Sequence, residues 1–193
     1  VDHHEDELSV REAELSMLRR LGDTESNMLA MLAVQGNLAN VYHMLGRPEA
    51  LRMRQDVYYG TLKLMGKEHN DTLVEAVCYA IGLNESRRFE EAKSLMRKTL
   101  PVAQRVVGEN CDLTLRMRES YARALFLDTG ATLEDLRKAV TTLEETARTA
   151  RRVLGGAHPI VVGIDDSLRV SRAALRARET PSASPGVEAA ART

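Results

Sequence analysis

Apolar residues in the last third of the chain recur at alternating steps of three and four. Leu133, Leu136, Val140, Leu143, Ala147, Ala150 and Leu154 draw one stripe. That spacing fits one face of a helix and predicts a helix over 132–153. Thr132 stands where a cap is needed, with Asp135 three residues on in the manner of a capping box. Phe89, Ala92, Met96, Leu100 and Ala103 draw a second stripe over 89–106. Pro101 is expected to kink that helix or shorten its ladder. The same reading gives helices over 5–20, 24–45, 48–64, 71–86, 112–129 and 159–178. The tail from 179 on, rich in Pro, Ser and Ala, is expected to be disordered.

The stripes repeat. Leu21-Gly22, Met65-Gly66, Val107-Gly108 and Leu154-Gly155 are spaced 44, 42 and 47 residues apart. Counting on from these pairs aligns Leu38-Ala39 with Tyr79-Ala80, Tyr121-Ala122 and Leu168-Arg169. A second alanine follows in three units, at Ala50, Ala92 and Ala139. Insertions and losses fall mostly at turns, where they are tolerated. Each unit reads as two helices. One helix pair cannot bury both its faces, whereas stacked pairs can, which predicts a solenoid. The units run about 21–64, 65–106 and 107–153, after a partial helix over 1–20. A last helix over 154–178 caps the array, with Arg169, Arg172 and Arg176 as its wet face.

"NLANVYHMLGR" (Asn37 to Arg47), followed by "PEAL", resembles the first helix and turn of a tetratricopeptide repeat. Leu38, Ala39, Tyr42, Gly46 and Ala50 supply the residue types that family uses. Small residues let helices approach, Tyr and Leu fill the wedge, and Gly permits the turn. With its 42-residue unit and joints such as "GKEHNDTL", the chain is similar to the long variant found in kinesin light chains. Units one and two carry this resemblance best. Unit three has "DTGATLEDLRKA" at its turn, and unit four keeps only its first helix. The resemblance implies an all-α, right-handed αα solenoid of tetratricopeptide-like helix pairs, about three full pairs plus a capping helix. It also implies a concave groove lined by the first helix of each pair. Carried over position by position, the groove takes Asn37, Asn40, His43 and Met44 from unit one. Unit two gives Val77, Ile81, Asn84 and Glu85, and unit three gives Arg116, Glu119, Arg123 and Phe126. Asn37 and Asn40 match the family's groove asparagines, which would bond a peptide backbone. Ile81 and Arg123 stand where such an asparagine would recur, so the two-unit carboxylate clamp of some relatives is not reproduced.

Chemistry has its candidates too. His69 in "GKEHNDTL", Cys111 in "GENCDLTL" and His158 in "GGAHPIVV" fall at matching places. Equivalent positions one helix pair apart lie at least about 8–10 Å from each other. Metal–ligand bonds are about 2.0–2.3 Å. The three are therefore expected to mark a structural joint, with no metal held between them. There glycine ends one helix and Asp71, Asp112 or Pro159 begins the next. "DHHEDE" (Asp2 to Glu7) holds metal-friendly residues but lies at the extreme end and is expected to be solvated. Met28 and Met31 are expected to fill the core, and Met44 to do so or to line a contact surface. No phosphate loop, dinucleotide fingerprint, zinc-helix motif or nucleophile elbow occurs. Cys78, within "VEAVCYAI", reads as buried and inert. No cofactor and no catalysis are expected.

Composition narrows the partners. Net charge is −1, which offers no dominant basic stripe for nucleic acid. Charge is nonetheless uneven, with acids gathered in residues 1–18 and arginines in 151–193. Two cysteines do not make a disulfide framework, which points to the cytoplasm or another reducing intracellular compartment. No apolar run is long enough to span a membrane. Residue 1 is Val, which suits a processed chain or a piece of a longer one. The expected function is a non-catalytic scaffold or adaptor gripping a peptide segment of a protein partner in the groove. The alternative is a subunit held stoichiometrically in a larger assembly. An RNA-binding helical repeat ranks below both, and an enzyme last.

Overall fold

The structure is a computed structural model that describes residues 2–22 and 24–180. Among the described residues all regular structure is helical. The order is α1 (Asp2–Arg20), α2 (Glu25–Met44), α3 (Glu49–Met65), α4 (Asn70–Glu85), α5 (Phe89–Val106), α6 (Asp112–Phe126), α7 (Leu133–Leu154) and α8 (Pro159–Glu179). Each follows its sequence expectation to within a few residues. The expected disordered tail lies outside the described residues from 181 onward.

Successive helices pack in order, and the even-numbered ones also meet directly: α4 packs on α6, and α6 on α8. The outer helices α3, α5 and α7 do not pack on one another to that extent. The even row is therefore the shorter, inner arc, and among the described residues the chain is an all-α solenoid of helix pairs.

Helix ends are set locally. Thr132 Oγ1 accepts from the Asp135 amide at 3.1 Å, and Asp135 Oδ2 accepts from the Thr132 amide at 3.0 Å. This is the capping box that the sequence predicts for α7. Six of the α7 stripe residues from Leu136 onward are inward: Leu136, Val140, Leu143, Ala147 and Ala150 are buried and Leu154 half-buried. Pro101 sits exposed inside α5, which runs on past it to Val106. Helix α6 stops at Phe126, three residues earlier than expected. Asp128 accounts for this: its Oδ1 accepts from the Gly130 amide at 2.9 Å, closing a turn. Its Oδ2 takes the Lys93 ammonium at 3.0 Å, tying that turn to α5.

The interior is not one body. A large cluster runs from Tyr58 and Leu73 through Met96, Leu115, Met117 and Leu143 to Ile164 and Leu168. A separate, smaller one joins Leu8 and Leu15 of α1 to Val34, Leu38 and Val41 of α2. The two are divided at the seam between α2 and α4.

Candidate functional site

The three joints have one construction. Gly66, Gly108 and Gly155 take φ of 82°, 93° and 83°, the left-handed region that an L side chain resists. Three residues later, His69, Cys111 and His158 occupy the cap positions of α4, α6 and α8. His69 Nδ1 accepts from the Asp71 amide at 3.2 Å, and His158 Nδ1 accepts from the Ile160 amide at 3.3 Å. Cys111 makes no such bond. Asp112 Oδ1 accepts from the Leu113 amide there at 2.7 Å, and the Thr114 hydroxyl donates to the Gly108 carbonyl at 2.7 Å. The histidines thus do the work of a Ser or Asp cap, on different helices. The sequence places the joint correctly but assigns the capping to its neighbours. Of "DHHEDE", Glu5 binds Arg47 at 3.1 Å. The side chains of Asp2, His3 and His4 lie outside the described residues.

The inner row separates the predicted groove residues into two groups. Asn37, Asn40, His43 and Met44 are exposed along one side of α2. His43 Nδ1 lies 3.3 Å from Glu85 Oε2, bridging α2 to the end of α4. Arg116 and Arg123 of α6 are half-buried, and Ile81 of α4 lies between the two sets, also half-buried. The other group holds helices together. Asn84 is buried, and its amide donates to the Ser120 carbonyl at 2.9 Å and to its hydroxyl at 3.3 Å. Glu119 accepts from the Ser167 hydroxyl at 2.8 Å, joining α6 to α8. Val77 and Phe126 are core residues.

Between α2 and α4 the inner row opens. These two helices do not pack as α4 and α6 do. The register explains it. Arg54 of α3 stands where later units place Met96 and Leu143, both 0% exposed. Glu75 of α4 stands where they place Met117 and Ile164, also 0% exposed. Charge therefore occupies two positions that are apolar elsewhere. Arg54 Nη1 donates to the Cys78 carbonyl at 2.9 Å, while its Nε is buried without a partner. Its stem passes over Gly82, where a Cβ would come within 3.2 Å of Arg54 Cδ. Burial pushes the Glu75 carboxyl above its ordinary range, and the nearby Asp71 adds to this, while Arg54 opposes it. A cleft of about 340 Å³ at one end of the seam is lined by His43, Arg47, Arg54 and Glu85. A second, of about 170 Å³, is lined at the other end by Leu32, Val57, Asp71 and Glu75. Aligning the units by their joints exposes both charges at core positions; neither belongs to a motif, so a motif search passes over them.

Cys78 is half-buried rather than fully buried, and burial holds its thiol above the ordinary cysteine range. That favours the unreactive thiol over the thiolate. No helix of the described residues is long and apolar enough to cross a membrane.

No protein-family model matches the chain, and no curated protein matches it in sequence. Solved structures do match its fold. The nearly identical TPR-like repeats of a Podosopora anserina kinesin light chain superpose with a TM-score of 0.70 at 19% identity, covering 91% of this chain and 81% of that one. A single-substitution variant of the same protein gives 0.72, again at 19% identity. BtubC (BKLC) from P. vanneervenii gives 0.66 at 13% identity, covering 96% of this chain and 80% of that one. The chain is a TPR-like helical repeat in fold.

Proposed function

We propose that this chain is a non-catalytic scaffold that holds an extended segment of a protein partner along its inner face. The observation that carries this reading is the exposed row of Asn37, Asn40, His43 and Met44, of which His43 lines the cleft between α2 and α4. Side-chain amides can hydrogen-bond both the N–H and the C=O of an extended backbone. Met44, 66% exposed, is a large apolar group that water leaves unsatisfied and that adapts to varied partners. Farther along, Arg116 and Arg123 supply positive charge for acidic side chains of the segment. Asn84 and Glu119 act behind the face by holding α4 to α6 and α6 to α8.

The reading is tested by Arg116→Glu with Arg123→Glu, two half-buried positions. The doubly reversed chain should keep its helical spectrum. It should bind the partner recovered with the unaltered chain at least about tenfold more weakly. Unchanged binding would remove the groove from the interaction. A partner that co-purifies stoichiometrically and never exchanges would favour the permanent-subunit alternative. Salt-dependent RNA binding would redirect the assignment altogether.

A further inference from the structure

The smaller cleft of the α2–α4 seam has apolar walls: Leu29 and Leu32 of α2, and Val57 and Met65 of α3. At about 170 Å³ it is too small for a drug-sized ligand and has room for a single side chain. Its polar groups are Thr61 of α3 and Asp71 and Glu75 of α4. Two of these three depart from the repeat. Thr61 stands where later units place Ala103 and Ala150, and Glu75 where they place Met117 and Ile164, all four 0% exposed. A hydroxyl and a carboxylate have thus entered positions that are apolar core elsewhere.

Neither has found a partner there. Thr61 is 5% exposed, and its hydroxyl makes no hydrogen bond among the described residues. Thr99 and Thr146, also inside outer helices, return theirs to the carbonyl four residues back, at 2.9 and 2.6 Å. A buried hydroxyl that forgoes such a bond is costly unless something else supplies one. Asp71 and Glu75 are one turn apart on α4, so their carboxylates share a side. Gly36 of α2 faces Glu75 across the seam, where a Cβ would stand 3.6 Å from its Oε1. Burial penalises the charge on Glu75, Asp71 adds to the penalty, and Arg54 offsets part of it from the other cleft. Among the described residues no lysine or arginine ion-pairs with either carboxylate, and Asp71 has His69 Nδ1 at 3.8 Å.

Three acceptors thus share one small apolar cleft, which is the complement of a lysine side chain. The stem of lysine is apolar, and its ammonium carries three N–H donors and no acceptor. That compact head suits so small a space better than the broad, planar guanidinium of arginine. The cleft also opens where a bound segment would run. Ala33, exposed at its rim, begins a stripe on α2 that continues at steps of four, three and four through Asn37, Asn40 and Met44, all exposed.

We propose that this cleft is the pocket for a lysine side chain of the partner segment, with its stem against Leu32, Val57 and Met65 and its ammonium on Thr61, Asp71 and Glu75. This rests on the inner-face reading above and adds to it a basic residue at the α2 end of the segment. The probe is n-butylammonium, which reproduces the stem and head of lysine. Added to the full chain at neutral pH, it should shift the methyl NMR signals of Leu29, Leu32, Val57 and Met65 and saturate. Glu75→Gln should weaken its binding at least about tenfold. Thr61→Ala, which restores the residue type of the later units, should weaken it about fivefold. n-Butanol, with the same stem and no charge, should bind at least about tenfold more weakly than n-butylammonium. No shift with n-butylammonium, an equal response to n-butanol, or indifference to Glu75→Gln would each overturn the pocket. The partner recovered with the unaltered chain separates this proposal from the reading it rests on. Glu75→Gln should weaken that partner as it weakens the probe. Binding lost with Arg116→Glu and Arg123→Glu but unchanged by Glu75→Gln would keep the inner face and overturn the lysine. Binding indifferent to all three substitutions would overturn both.

Discussion

The seam between α4 and α6 and the seam between α2 and α4 are the same joint of the same repeat, filled differently. At the first, Met96, Met117, Leu115 and Leu125 pack with essentially no exposure. At the second, Arg54 and Glu75 hold the corresponding core positions, and clefts open at both ends. An apolar pair gains from burial and from contact. A buried charge must first give up water, and the partners it finds inside return little beyond that cost. Nearest-neighbour packing carries most of a solenoid's stability, so one weak seam divides it. Helices α1 and α2 thus share a small core of their own and join the larger body from α3 to α8 through α3, with little direct packing on α4.

The largest expected effect lies in the body. Leu143, 0% exposed, should cost about 3–4 kcal/mol when cut to alanine, read from denaturant melting. Leu38→Ala, at 2% exposure in the smaller cluster, should instead loosen α1 and α2. Hydrogen exchange would then quicken in those helices and leave α5 to α7 unchanged. Equal quickening everywhere would show that the two ends are one cooperative unit.

The seam itself comes next. Arg54→Met with Glu75→Met restores the residue types of the later units and should stabilise the chain by about 1–4 kcal/mol. Arg54→Met alone should destabilise it, because Glu75 then loses a cation that offsets its burial. The pH dependence has a definite sign. Glu75 has a folded-state value above its unfolded one, so its favourable contribution is complete below the unfolded value and fades as pH rises through the folded one. Glu75→Gln should therefore stabilise the chain at pH 7 and make no difference below about pH 4. A gain that persists at low pH would assign the effect to shape rather than charge.

The smallest effect is at the joints. His69→Ala should cost about 1 kcal/mol by removing the Nδ1 acceptor at the start of α4, and His69→Asn should recover most of it. Cys111→Ala should cost less, because Asp112 and Thr114 already bond that joint.

Much of this molecule is legible in its sequence because its repeats restate one another. The Leu133-to-Leu154 stripe and the Thr132–Asp135 box fix α7 without tertiary help. The three glycine joints fix the register of everything between them. Three things are less legible, each for a physical reason. The end of α6 depends on Asp128 meeting Lys93, a contact 35 residues away in sequence. Asn84 looks like a groove amide by position, yet the closeness of α4 and α6 turns it onto Ser120. Arg54 and Glu75 look like any surface charges until the units are aligned. The groove residues themselves follow from position in the repeat.

A photo-crosslinking residue at position 44, on the inner row, compared with one at position 98, on an exposed site of the outer helix α5, tests the role of the inner face most directly. In the presence of the partner recovered with the unaltered chain, position 44 should give a covalent adduct that Arg116→Glu with Arg123→Glu abolishes, and position 98 should give none. An adduct at position 98 with none at position 44 would contradict it.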